Sequence, residues 1–185
     1  MESLIIRPFR PDDQDRVSAI YVDWNRHIAG PDNAAAFEEY IRRTMDEEIL
    51  RIPDYYQETP GSGFWVADLD GEVVGMAGIE RLNDDDAEVR RMYVDADYRR
   101  RGIGVRLLSH LEDFCLEEGY RRVLLSTSEQ QEAALALYRL QGYELIREEI
   151  AEEQTNRTVG GGIRRYYFVK DLYNGDEPST VQPSP

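Results

Sequence analysis

The stretch Arg99-Arg100-Arg101-Gly102-Ile103-Gly104-Val105 holds the residues best placed by type and spacing to do chemistry. Two glycines one residue apart let the backbone bend so that successive N–H groups converge where a helix begins. Converging amides at a helix start, with its positive potential, bind anions. Three arginines add counter-charge in a chain whose formal net charge is −15. The ligand implied is a diphosphate-bearing molecule. Competing phosphate motifs do not fit, since a dinucleotide fingerprint would want Gly or Ala at Leu107 and a P-loop would need Gly-Lys-Ser/Thr. On this stretch alone, a solvated charged turn is as good a reading as a phosphate site.

The elements that must position this loop can be read outward from it. Ala87 to Val94 reads as the strand before it, and Leu107, Leu108, Leu111, Phe114 and Cys115 trace one face of the helix after it, which stops near Gly119. Upstream, Leu4 to Phe9 is a short strand closed by Pro8, and Val17, Ile20, Tyr21 and Trp24 recur at helical spacing behind Asp12 and Asp13. Asn33 is the expected cap of a second helix, with Phe37, Ile41, Met45 and Leu50 on one face and an end before Pro53. Tyr55 to Gly63 reads as a loop. Phe64 to Asp68 and Glu72 to Arg81 read as strands joined at Asp70-Gly71, a hairpin signal, with Gly75 and Gly78 permitting close backbone approach. Downstream come a strand at Arg121 to Ser126, a helix from Gln130 to Gln141 ended by Gly142, and two long strands, Tyr143 to Ala151 and Ile163 to Leu172.

Composition bounds the answer. At 185 residues and 41% hydrophobic content, one globular unit is expected over residues 1–174, followed by a polar, proline-rich tail at 175–185 that is expected to be mobile. No apolar run approaches the roughly 18 residues of a membrane helix, and the N-terminus does not resemble a signal peptide, so the expected setting is cytoplasmic, with no membrane partner. The acidic field argues against nucleic acid. Lys170 is the only lysine, and an acid excess with so little lysine is the surface expected of a salt-adapted protein. One cysteine, Cys115, and two distant histidines, His27 and His110, leave no metal site to expect.

With strand, loop and helix in place, the chain resembles the GNAT superfamily of N-acetyltransferases, whose R/Q-x-x-G-x-G/A signature is met by Arg99, Gly102 and Gly104. A second motif is similar: Gln131-Glu132-Ala133-Ala134-Leu135-Ala136-Leu137-Tyr138 leads to Gly142-Tyr143. A narrower likeness, in Gly61 to Ala67, Val74-Gly75-Met76 and Ser126-Thr127-Ser128, is to the branch that includes cysteinyl-conjugate and aspartate N-acetyltransferases. The resemblance implies a single-domain α/β (α+β) fold, a mixed, mostly antiparallel sheet of about seven strands flanked by about four helices. It implies an enzyme, an acetyl-CoA-dependent N-acetyltransferase acting on a primary amine of a small molecule, amino acid or peptide. The alternative is a non-catalytic acetyl-CoA-binding module.

By the same resemblance, the strand end at Met92, Tyr93 and Val94 pairs with pantetheine, Arg99 to Val105 hold the pyrophosphate, and Gln131, in place of the usual asparagine, touches the cofactor. Tyr138 matches the tyrosine that protonates the departing thiolate, although its spacing from Leu135 also suits simple packing. An alkylamine with a pKa of about 10 must lose a proton before it attacks. Glu88, eleven residues before Arg99, matches the position of a glutamate base, with Glu80 or a water chain as substitutes. A backbone N–H near Met92 is the expected oxyanion donor. Tyr21, Trp24, His27, Tyr55 and Tyr56 fall in the region that shapes the acceptor pocket. A homodimer through the two long C-terminal strands is one expectation for the assembly.

Overall fold

The apolar runs pair into one seven-stranded sheet. In the computed structural model, which describes residues 3–173, the strands are β1 (Leu4–Pro8), β2 (Gly63–Leu69), β3 (Glu72–Arg81), β4 (Asp86–Val94), β5 (Arg122–Ser128), β6 (Glu144–Ala151) and β7 (Ile163–Asp171). Their order is β1-β2-β3-β4-β5-β7-β6, and every neighbouring pair is antiparallel except β4 with β5. The Asp70-Gly71 hairpin forms as expected, with both residues at positive φ, the backbone a two-residue turn demands. The expected tail, 175–185, lies outside the described residues.

Three α-helices cover the sheet: α1 (Gln14–Glu47) on one face, α2 (Ile103–Glu117) and α3 (Glu132–Leu140) on the other. The amphipathic stripe of α2 buries Ile103, Leu107, Leu108, Leu111 and Cys115 against Ala87, Val89, Val123 and Leu125. Burying each of the leucines contributes about 1.5–3 kcal/mol. Opposite them, Val17, Ile20, Tyr21, Tyr40 and Ile41 of α1 pack on Phe64, Val66, Val73 and Met76. The glycines of β3 do permit close approach, since a Cβ at Gly78 would come within 2.8 Å of the Tyr56 ring.

Two expectations need correction. The helix break falls at Gly30 (φ 62°), not at an Asn33 cap, and the two halves continue as one α1. Pro31 stands at the first position of the second half, where its missing N–H costs nothing. Next, Pro53–Gln57 is a π-helical turn, not loop, and it buries Ile52 and Tyr56 while Leu50 faces solvent. The periodicity carried past Glu47 assumed an α-helical pitch that the chain abandons there.

The decisive departure from regularity is in β4. Its register against β3 slips between Met76 and Gly78, and Arg91 sits at φ 52°, in the left-handed region. This is a β-bulge. Before it, Ala87 and Val89 face α2; after it, Met92 and Val94 face α2 again. The inserted residue therefore lets Arg90 and Arg91 share the α1 face, which strict alternation forbids. Both reach Glu48, which has no solvent exposure. Arg91 donates from Nε to Oε1 (2.9 Å) and from Nη2 to Oε2 (2.5 Å), Arg90 from Nη2 to Oε2 (2.8 Å), and the Tyr56 hydroxyl donates to Oε1. Arg91 Nη1 donates to the Tyr40 hydroxyl at 2.7 Å.

Burial alone would raise the Glu48 pKa, but Arg91 and Arg90 overcome it and hold the carboxyl at about 2, below its ordinary 4.5. A depressed folded-state pKa contributes stability above the unfolded value and loses it as pH falls through the folded value. Acid unfolding is therefore expected to draw on this group between about pH 4.5 and 2. Glu48→Gln leaves the buried Arg91 guanidinium without a counter-charge and Arg90 with only the more distant Glu80 and Glu88, and is expected to cost about 3–5 kcal/mol. Denaturant unfolding at neutral pH measures that loss, and the variant should show a shallower decline across the acid window than the parent protein.

Candidate active site

The parallel pairing of β4 with β5 ends at Val89 opposite Leu125. Beyond that rung β5 continues along β7 as far as Ser128, while β4 bends away at its bulge. The two strands splay, and a cavity of about 80 Å³ opens between them. It is lined from β4 by Glu88 to Tyr93, from β5 by Ser126 to Ser128, from α1 by Asn25, Phe37 and Tyr40, and by Gln131, Tyr138, Arg157 and Arg165.

The sheet divides this gap into two sides. On the side of α2 and α3 lie Met92, Val94 and Tyr138. Tyr138 is set by the end of α3: Gly142 adopts φ 83° and the Tyr143 N–H returns to the Tyr138 carbonyl at 3.0 Å. That closing turn packs the Tyr143 ring 6.0 Å from the Tyr138 ring, with Phe168 at 6.1 Å on another side. The Gly142-Tyr143 pair is thus what fixes the tyrosine in the gap. Burial pushes the Tyr138 hydroxyl above the usual phenol range, so it is a proton donor, not a phenolate, at neutral pH. Gln131 stands at the start of α3 with its side-chain oxygen accepting from Thr127 at 2.7 Å.

Past the end of β4 the arginine-glycine loop turns into α2. Arg100 (φ 60°) and Gly102 (φ 78°) are left-handed. The first intrahelical bond runs from the Arg106 N–H to the Gly102 carbonyl at 3.1 Å, which leaves the amides of Ile103, Gly104 and Val105 at the helix start. Gly104 faces Val94 and Leu137, and an added Cβ would lie 3.5 Å from the latter. Arg99 stacks on Trp24, 4.0 Å from the ring centroid, and donates from Nε to the Val94 carbonyl at 3.2 Å. Arg101 lies over Tyr98 and donates to the Asp97 carbonyl. A diphosphate joined to an extended amide chain fits this surface: left-handed backbone and free helix amides for the anion, and an unpaired strand edge running inward.

On the α1 side the chemistry is ionic. Glu80 and Glu88 are cross-strand partners, an opposition of like charge that is unfavourable unless neutralised. Arg157, from the β6–β7 connection, neutralises it. Its Nη2 donates to both Glu80 oxygens (2.9 and 2.8 Å), and its Nη1 donates to Glu88. Arg90 stands 3.3 Å from Glu80 and 3.7 Å from Glu88. The connection is itself tied down, since Gln154 bonds α1 at the Ala36 carbonyl (2.8 Å) and Arg91 donates to the Asn156 carbonyl.

Of the residues singled out in the sequence, Glu88, Met92, Tyr93, Gln131 and Tyr138 line one cavity, while Arg99 to Val105 lie outside its lining, at the start of α2. The five aromatics expected at the acceptor pocket do not line it. Tyr21 and Tyr56 are fully buried in the α1 core, Trp24 is occupied by Arg99, and Asn25, Phe37 and Tyr40 line the cavity instead. Sequence reasoning missed Glu48, Arg90, Arg91, Arg157 and Arg165. Adjacent arginines inside a strand between buried valines were the available signal. Among the described residues no helix is long and apolar enough to cross a membrane, and no cluster of His, Cys, Asp and Glu is arranged to hold a metal ion.

Comparison with known proteins agrees with this geometry. The sequence profile of the acetyltransferase (GNAT) family matches residues 21–143. The chain is 35% identical over 134 residues to a probable N-acetyltransferase camello of Xenopus tropicalis, covering 71% of this chain and 61% of that one. It is 35% identical over 105 residues to the N-acetylaspartate synthetase of Homo sapiens, covering 56% of this chain and 35% of that one. The chain thus spans between about a third and three fifths of these relatives. Among solved structures, the PaiA N-acetyltransferase of Thermoplasma acidophilum in complex with coenzyme A superposes with a TM-score of 0.69 at 21% identity, over 91% of this chain and 99% of that one. With the family profile spanning most of the chain, and strand splay, loop and tyrosine arranged as its sequence motifs imply, the chain belongs to the acetyltransferase (GNAT) family.

Proposed function

We propose that residues 1–174 form one enzyme unit that moves an acetyl group from acetyl-CoA to a primary amine of a small molecule, amino acid or peptide. The observation that carries this reading is the edge of β4 beyond Val89, unpaired by β5, with the start of α2 at one end and Tyr138 facing it. In the proposed reaction the backbone of Met92 and Val94 pairs with the pantetheine arm, and the amides from Arg100 to Val105, aided by Arg99 and Arg100, hold the pyrophosphate. The thioester supplies an activated acetyl carbon.

The amine nitrogen attacks that carbon, a C–N bond forms, and the carbonyl oxygen gains negative charge that the Met92 N–H stabilises. Collapse breaks the C–S bond, and the thiolate takes a proton from the Tyr138 hydroxyl. The proton lost by the amine goes to Glu88, with Glu80 as its substitute. Both carboxylates accept from Arg157, so a water relay or a shift of Arg157 belongs to this step. The formal charge of −15 supports a setting away from nucleic acid and membrane surfaces, and the cytoplasm is the proposed location.

A free-thiol assay over amines, amino acids, polyamines and peptides tests the reading, and tight acetyl-CoA binding with no thiol release across that panel would leave a binding module instead. Tyr138→Phe is expected to lower kcat by about 100-fold or more while the acetyl-CoA dissociation constant stays near that of the parent. Unchanged turnover, with chemistry rate-limiting, would remove the acid role. Gly102→Val forces a β-branched residue to a left-handed φ, a strain of about 1–3 kcal/mol. Because an added Cβ at Gly102 meets nothing within 4 Å, the effect is expected through the turned backbone, as weaker acetyl-CoA binding in a calorimeter with fold stability lowered by no more than that strain.

A further inference from the structure

The cavity holds an unbalanced charge. Four guanidiniums line it, those of Arg90, Arg91, Arg157 and Arg165. Three carboxylates answer them: Glu48 pairs with Arg90 and Arg91, and Glu80 and Glu88 pair with Arg157 and Arg90. Arg165 is left over. Among the described residues no carboxylate comes within ion-pair distance of it. Its Nη2 donates to the Ser126 hydroxyl at 2.5 Å, the guanidinium lies 5.9 Å from the centroid of the Tyr167 ring, and its Nε is buried with no hydrogen-bond partner.

Its position gives this spare charge a direction. On β5, Val123 and Leu125 face α2, and on β7 so does Phe168, so alternation turns Ser126 and Arg165 to the α1 side of the sheet. Tyr138 and the start of α2 lie on the other side. Arg165 therefore lies on the face opposite Tyr138, Met92 and Val94, the residues assigned above to the donor. A half-buried guanidinium with a free, desolvated N–H is costly unless an anion completes it.

We infer that Arg165, steadied by Ser126, binds one carboxylate of the acceptor, and that the acceptor is an amino acid carrying a single negative charge. This inference rests on the acetyltransferase reading given above. The charge count limits it to one carboxylate: a phosphate monoester brings nearly two charges, and a second carboxylate would face Glu88 across a cavity of about 80 Å³. The acceptor would then differ from the aspartate that the name of the human relative implies.

The test compares neutral-side-chain amino acids, their α-carboxamides and aspartate, by kcat/KM and by calorimetric binding to the acetyl-CoA-free protein. The wild-type protein should favour each acid over its amide by at least about tenfold, the range expected for a hydrogen-bonded charge pair. Arg165→Met should bring that ratio near one by losing the acid and not the amide, Arg165→Lys should restore part of it, and Ser126→Ala should reduce it with the fold intact. A ratio that Arg165→Met leaves unchanged, amides that equal acids in the wild-type protein, or a preference for aspartate would each overturn the inference. If no amine is acetylated at all, the acetyltransferase reading fails, while the binding comparison of acid, amide and Arg165→Met still decides the subsite.

Discussion

The contact between Glu48 and the paired guanidiniums of Arg90 and Arg91 is the constraint on which the rest depends. Neither arginine could be buried without a counter-charge, because a desolvated guanidinium costs several kcal/mol. The carboxylate the two share sits just past the end of α1, on one face of the sheet, so both arginines must reach the same face. A strand can meet that demand only by inserting a residue. The left-handed Arg91 is that insertion, and its strain is offset by two hydrogen bonds to the Glu48 carboxylate and one to the Tyr40 phenol. Such a network adds less net stability than an apolar core of equal volume, but it fixes the register of β4 to a single value.

From that register the site follows. A regular β4 would continue beside β5, its N–H and C=O groups spent on pairing. The bulge turns it away after Val89 and leaves an open edge that begins at the next residue. The same slip returns Met92 and Val94 to the face that carries Tyr138 while placing Arg90 and Arg91 with Glu80, Glu88, Arg157 and Arg165 on the other. One backbone irregularity thus builds a gap and sorts its two sides into a largely neutral one and a charged one.

What could be read from the chain was whatever depends on neighbours in sequence. The loop at Gly102, the stripe of α2, the Asp70-Gly71 turn and the closing Gly142 are all local, because φ preference and helical periodicity act over a few residues. Glu48 was not legible: it lies at the frayed end of a helix, and its partners stand 42 and 43 residues away. Arg165 and Arg157 were equally silent, since an arginine in a C-terminal strand or loop is ordinarily a solvated one. The Asn33 cap failed for a related reason. Capping preference is worth about 1 kcal/mol, less than what a glycine-proline pair two residues earlier imposes on the backbone.

The acidity of the whole and the basicity of the cleft are two parts of one arrangement. A net charge of −15 spread over the surface repels anions at a distance, yet that field is screened over roughly 8–10 Å at physiological ionic strength. Inside the gap the guanidiniums of Arg90 and Arg91 are buried and act at contact range, where screening by salt is weak. On the proposed reading, the outer field would set how often an anionic molecule arrives, and the inner arginines which one stays. Added salt would raise the first without erasing the second. Arginine suits the inner role better than lysine because its planar fork can be shared, as Arg91 shares its own among Glu48, Tyr40 and the Asn156 carbonyl. With Lys170 engaged by Glu112 outside the cleft, the cations that line it among the described residues are guanidiniums, and of these Arg165 on β7 has a buried N–H without a hydrogen-bond partner.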